Sequence, residues 1–90
     1  MKDSLRNKVV IVTGASSGIG RSITLESAGR GATVILIARR KDRLEEIAAE
    51  ARELSGAEAY VFSADMGKPD DIEKTFDEIT KQVHHIDFFS

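Results

Sequence analysis

The 90-residue sequence has no cysteine, so it can form no disulfide, no thiolate metal site and no cysteine nucleophile. It has little net charge: 13 Lys and Arg against 15 Asp and Glu give −2 at pH 7. That balance carries no general nucleic-acid footprint. No apolar run approaches the length needed to cross a bilayer. The first eight residues, Met1 to Lys8, are mostly polar, so no secretory signal peptide is expected and the cytoplasm is the expected compartment. Tyrosine is scarce, Tyr60 being the only one. The rest is ordinary. With 41% apolar and 31% charged residues, the composition is that of a soluble globular chain, and the length suits one small domain over residues 1–90.

Glycine is where the sequence becomes specific. Thr13-Gly14-Ala15-Ser16-Ser17-Gly18-Ile19-Gly20 follows directly on Val9-Val10-Ile11-Val12. The apolar run reads as a strand, Lys8 to Thr13, buried on both faces. The segment after the glycines, Gly18 to Arg30, reads as a helix. Glycine permits a sharp turn off a strand tip and holds no side chain between ligand and backbone. A helix starting there aims unpaired N–H groups and a positive dipole end at the turn, which suits a phosphate. Ser16 and Ser17 add hydroxyls. The pattern is not a P-loop, because Gly20-Arg21-Ser22 lacks the lysine.

The rest of the chain alternates strand and helix. Ala32 to Ala38 is a second buried strand, and Lys41 to Leu54 a helix whose apolar stripe is Leu44, Ile47, Ala48, Ala51 and Leu54. Ser55-Gly56 is a turn. Glu58 to Ser63 is a third, shorter strand suited to a sheet edge. Pro69 opens a third helix, with Asp70 and Asp71 at its positive end and Ile72, Phe76, Ile79 and Val83 as its core face. His84-His85 reads as the close of that helix, and Ile86-Asp87-Phe88-Phe89 as the start of a fourth strand. The first helix has the weakest pattern: Ile19, Ile23 and Leu25 are diluted by Ser22, Ser27 and Gly29. The alternation implies an α/β fold, βαβαβαβ, with a doubly wound parallel sheet in the order 3-2-1-4. A nucleotide would sit over the tips of strands one and four.

A second signal lies about twenty residues past the glycines. Dinucleotide folds usually place a carboxylate there, near the end of strand two, for the adenosine ribose. This chain has Arg39-Arg40-Lys41 instead. Three cations at the positive end of a helix are mutually unfavourable. An anion between them relieves the conflict, and guanidinium is well matched to phosphate. The 2′-phosphate of NADP is such an anion. A solvated basic cluster with no ligand is the alternative.

The Thr-Gly-x3-Gly-Ile-Gly segment and its continuation resemble the short-chain dehydrogenase/reductase family over essentially all of the sequence, but only over the first half of a family member. The resemblance implies a Rossmann-like fold and an NADP(H)-binding role, with NAD less favoured. It implies cofactor contacts from Gly14, Ser16, Ser17, Gly18, Ile19, Gly20, Arg39 and Arg40. Asp65 would contact the adenine amino group and Met66 would contribute backbone contacts, although Asp65 would serve equally well as a turn cap. Arg39 also argues against a methyltransferase. The family's Asn-Asn-Ala-Gly segment, catalytic Ser and Tyr-x-x-x-Lys pair do not occur. Tyr60 has alanine, Ala64, four residues on. The sequence therefore implies dinucleotide binding without the catalytic groups. A non-catalytic assembly module is the rival, and an uncovered fourth strand implies self-association or disorder over Ile86 to Ser90.

Overall fold

The computed structural model describes residues 4–14, 17–56 and 58–89. Strands β1 (Val9–Thr13), β2 (Thr33–Ala38), β3 (Ala59–Ser63) and β4 (Phe88–Phe89) alternate with helices α1 (Gly18–Gly29), α2 (Lys41–Ser55) and α3 (Pro69–Gln82). The sheet is parallel throughout, in the order β3-β2-β1-β4. This is the expected doubly wound arrangement, with β3 at one edge. Val9 pairs with Thr33 and Val34 with Ala59, which fixes the register of the three longer strands.

Strand side chains alternate between two apolar layers. Val10, Val12, Val34 and Leu36 point towards α1 and α2, where they meet Ala28, Leu44, Ile47, Ala48 and Ala51. Val9, Ile11, Ile35 and Ile37 point the other way and meet Ile79 of α3, with Phe76 and Val83 packed alongside. Burial on both faces is why β1 and β2 are written in unbroken runs of Val, Ile and Leu.

Several local expectations are corrected. The fully buried residues of α1 are Gly20, Thr24, Ser27 and Ala28; Ile23 and Leu25 pack partly buried against the same layer, while Ile19 is exposed. Small side chains let this helix lie close to the sheet. Thr24 tolerates burial because its hydroxyl donates to the Gly20 carbonyl at 2.8 Å. Gly29 is the last residue of α1 rather than an interior one, and Arg30 is the C-cap. Gly31 follows at φ +97°, a conformation that favours glycine. On α2 the stripe holds except for Leu54, which is exposed. A helix advances by about 100° per residue, which carries Leu54 to the shoulder of the stripe in the last turn.

Helix α2 stops at Gly56 in the left-handed region, φ 70°. Arg52 then donates to the Ala59 carbonyl at 2.6 Å, closing the connection into β3. Helix α3 ends at Gln82, so His84 and His85 lie beyond it rather than at its last turn. His85 instead sits beside the start of the sheet. Its Nε2 lies 3.0 Å from Asp87 Oδ2 and 3.1 Å from the Asn7 carbonyl. The same Asp87 oxygen accepts the Val9 N–H at 2.8 Å, and the Asp87 N–H donates to the Val9 carbonyl at 2.9 Å. This pairing anchors β4 against β1. No described helix is long and apolar enough to cross a membrane.

Candidate functional site

Parallel strands deliver their carboxyl ends to one side of the sheet, and a cleft of about 690 Å³ opens there. Thr13 and Gly14 come from β1, Ala38, Arg39 and Arg40 from β2, Ala64 to Gly67 from the segment after β3, and Phe89 from β4. The volume lies within the range of small-molecule sites, roughly 300–1,000 Å³. The cleft brings Gly14, Arg39, Arg40, Asp65 and Met66 together from three separate parts of the sequence. Ser17, Gly18, Ile19 and Gly20 form the adjoining start of α1. Ser16 lies outside the described residues.

Gly14 turns the chain away from β1 at φ +64°. An alanine Cβ there would meet nothing within 4 Å, so the glycine is favoured by its backbone angle and not by crowding. Its N–H continues the ladder to the Ile37 carbonyl at 2.9 Å. Its own carbonyl accepts the Ser17 N–H at 3.0 Å and the Ser17 hydroxyl at 2.9 Å.

Ser17 is the N-cap of α1, and its Oγ accepts the Gly20 N–H at 3.0 Å. The Ser17 hydroxyl is therefore committed to holding the turn. Gly18 and Ile19 sit at the first two positions of α1, where no carbonyl within the helix reaches their N–H groups. Both residues are exposed. The first turn of α1 also holds no acidic side chain. N–H groups without a helical acceptor, on exposed residues beside a glycine turn, are an arrangement that suits an anion.

The opposite wall is cationic. Arg39 is exposed and makes no side-chain ion pair among the described residues. Its carbonyl accepts the Ser63 hydroxyl at 3.1 Å, which ties the tip of β2 to β3. Arg40 Nη2 lies 3.2 Å from Asp42 Oδ2. That hydrogen bond raises the Arg40 guanidinium above its ordinary pKa and holds the Asp42 carboxyl below the usual range.

Asp65 closes the third side. Its Oδ1 accepts the Gly67 N–H at 2.9 Å, so one oxygen serves the turn. Its N–H donates to Asp71 Oδ2 at 3.1 Å, fixing the segment to the start of α3. Met66 lines the cleft and also packs on the sheet layer under α3.

Phe89 and Gly67 line the cleft without having been singled out in the sequence. Phe89 reaches it because β4 lies beside β1, and its ring stacks on Phe76 with centroids 5.9 Å apart. The signal available for Phe89 was its place at the tip of the strand flanking the crevice. Tyr60 does not reach the cleft. It packs on the α3 side of the sheet and donates its hydroxyl to Glu58 Oε1 at 2.7 Å. That bond raises the phenol above the ordinary tyrosine pKa.

The family model described as short chain dehydrogenase matches residues 8–90. Among curated proteins, the chain is 46% identical over 85 residues to 11-beta-hydroxysteroid dehydrogenase 1A of Arabidopsis thaliana, covering 94% of this chain and 24% of that protein. It is 39% identical over 87 residues to a fatty acyl-CoA reductase of Acinetobacter baylyi, covering 97% of this chain and 29% of the relative. Among solved structures, it is similar to L-sorbose reductase from Gluconobacter frateurii in complex with NADPH and L-sorbose. There the TM-score is 0.92 at 30% identity, over 99% of this chain and 34% of that one. It is also similar to an NAD+-bound xylitol dehydrogenase, with TM-score 0.91 at 30% identity, over 97% of this chain and 33% of that one. The chain thus spans about a quarter to a third of the length of these relatives.

Proposed function

The chain belongs to the short-chain dehydrogenase family and carries its dinucleotide-binding portion, and from that premise we propose that the dinucleotide is NADP(H) in preference to NAD(H). In this reading the cofactor diphosphate lies at the start of α1, held by the N–H groups of Gly18 and Ile19, with Gly14 turning the chain to make room for it. Gly20, buried against the sheet, lets α1 approach it. Arg39, with Arg40 beside it, holds the 2′-phosphate. Asp65 and Met66 receive the adenine. NADP(H) supplies hydride chemistry when bound. These 90 residues contain no Tyr-x-x-x-Lys pair to manage the substrate proton, so their part is to bind and orient the adenosine half.

The observation that carries the reading is the composition of the cleft wall. Two guanidinium groups stand at the tip of β2, and the only carboxylate in the lining among the described residues, Asp65, has one oxygen engaged by Gly67. Guanidinium pairs bidentately with phosphate, whereas a ribose hydroxyl calls for an acceptor. Isothermal titration of the chain with 2′,5′-ADP and with 5′-AMP, which differ only by the 2′-phosphate, tests it. The 2′-phosphorylated ligand should bind more tightly, and Arg39→Asp should lower that preference by about tenfold or more. Selectivity unchanged by the substitution refutes the role of Arg39.

A second reading concerns assembly. Strand β4 is at the sheet edge, and Phe88 and Phe89 are 49% and 57% exposed. An uncovered edge with apolar side chains invites strand pairing, so the chain self-associates through β4. Sedimentation velocity over a wide concentration range checks this: a monomer throughout overturns it.

A further inference from the structure

We infer that Asp42 is a positioning residue that sets how strongly the cleft distinguishes a 2′-phosphorylated adenosine from an unphosphorylated one, by competing with that phosphate for the guanidinium of Arg40. This rests on the dinucleotide reading above and deepens it.

The two arginines on the cleft wall are adjacent in sequence but not equivalent. Arg39 makes no side-chain ion pair among the described residues, and the Ser63 hydroxyl fixes its backbone from the neighbouring strand. Arg40 is already engaged, with Nη2 3.2 Å from Asp42 Oδ2. Nothing else among the described residues fastens its side chain. As N-cap of α2 it has an extended backbone, φ −98° and ψ 99°, and makes no side-chain cap bond.

Asp42 has a second reason to stay ionised in this place. It lies in the first turn of α2, where the helix dipole favours a carboxylate. It is the only acidic residue of that turn, in a neighbourhood that includes Arg39, Arg40, Lys41 and Arg43. Its carboxyl lies below the ordinary range, chiefly through the hydrogen bond from Arg40, so at neutral pH it is a full anion.

A phosphate arriving at this wall therefore finds Arg39 without an ion pair among the described residues and Arg40 already matched. To recruit Arg40 it must displace Asp42 or share the guanidinium with it, against the repulsion of the carboxylate. Both groups are about two-thirds exposed, at 70% and 68%. The pair is accordingly weak and exchangeable, as exposed pairs are. It tunes affinity without blocking it. An unphosphorylated ribose makes no demand on Arg40, so its binding should not register the state of Asp42.

The test is a double-mutant cycle on the chain, read by isothermal titration with 2′,5′-ADP and with 5′-AMP. Asp42→Asn should tighten 2′,5′-ADP by about two- to fivefold, the scale of a released exposed ion pair, and leave 5′-AMP unchanged. In an Arg40→Gln background the same substitution should have no effect, because the group through which Asp42 acts is gone. Asp42→Glu, which restores a carboxylate, should return wild-type selectivity. Raised salt should shrink the difference between wild type and Asp42→Asn. Unchanged 2′,5′-ADP affinity in Asp42→Asn overturns the inference. So does an equal change for both ligands, or a gain that persists with Arg40→Gln. If wild type fails to prefer 2′,5′-ADP, the dinucleotide reading itself fails and this inference falls with it. If wild type prefers it and Asp42→Asn does not change it, only the inference fails.

Discussion

Ser17 offers a substitution that separates stability from binding. Its hydroxyl accepts the Gly20 N–H at 3.0 Å and donates to the Gly14 carbonyl at 2.9 Å. Ser17→Ala removes both bonds. Loss of an N-cap side chain costs about 1 kcal/mol. The Gly14 carbonyl suffers less, because it keeps the Ser17 N–H at 3.0 Å. For a domain of this size, about 1 kcal/mol lowers the melting temperature by about 4–8 °C. Ser17→Asp behaves differently. Aspartate caps helices as well as serine does, and its charge suits a first turn that has no acidic residue. Its melting temperature should fall less than that of Ser17→Ala, because the cap bond to Gly20 is kept although a carboxylate cannot donate to the Gly14 carbonyl. Yet the new carboxylate would sit where the cofactor diphosphate is proposed to lie. Like charges about 5 Å apart, at an effective dielectric constant of about 20, repel by about 3 kcal/mol before salt screening. Binding of 2′,5′-ADP should weaken by about tenfold or more. Far-UV circular dichroism melts and isothermal titration measure the two quantities. A Ser17→Ala melt at the wild-type temperature refutes the capping role. A Ser17→Asp variant that binds as tightly as wild type removes the anion from this end of α1.

Two further predictions follow from the core and from Tyr60. Leu44 is fully buried where α2 meets the sheet, so Leu44→Ala should cost about 2–5 kcal/mol, read as a lower urea midpoint with the unfolding slope unchanged. Tyr60 is the only tyrosine and there is no tryptophan, so absorbance near 295 nm (the phenolate band) reports this one phenol. Its titration should fall above the ordinary tyrosine range, because its hydroxyl donates to Glu58. Glu58→Gln should bring it down. The linkage has a definite sign. A raised folded-state value contributes stability below the unfolded value, near pH 10, which is lost as pH climbs through the folded one.

The sheet was legible because its strands are written for burial on both faces. Val9 to Val12 and Val34 to Ile37 are continuous apolar runs, and all eight residues are buried. The strand order followed from alternation and crossover handedness. Helix α1 was less legible. Its fully buried positions are Gly20, Thr24, Ser27 and Ala28, with Ile23 and Leu25 only partly buried beside them, and a face centred on small residues has a weak hydrophobic period. Leu54 misled for the opposite reason, being apolar on the edge of a real stripe.

For the site, spacing pointed to Gly14 and Arg39 and the family resemblance to Asp65, and the fold collects all three in one cleft. Spacing could not show that Ser17 spends its hydroxyl on Gly14 and Gly20, or that Arg40 is held by Asp42. Those are orientations of side chains within two or three residues of one another, and a residue pattern does not encode them. Phe89 was placed in the strand beside β1 but not read as part of the site, because an apolar residue at a strand tip carries no binding signature of its own.

The four strands are not equally joined. β1 and β2 are matched at five residue pairs, and so are β2 and β3, whereas β4 meets β1 at only two, Val10 with Phe88 and Ile11 with Phe89. The cleft wall that Phe89 supplies therefore hangs on the weakest seam of the sheet. Local opening begins where the fewest bonds must break, so amide hydrogens of β4 should exchange soonest among the strands. A ligand resting against Phe89 would slow that exchange at a distance from any group it contacts by hydrogen bonding. Occupancy of the cleft would then be recorded in the fraying of its outermost strand.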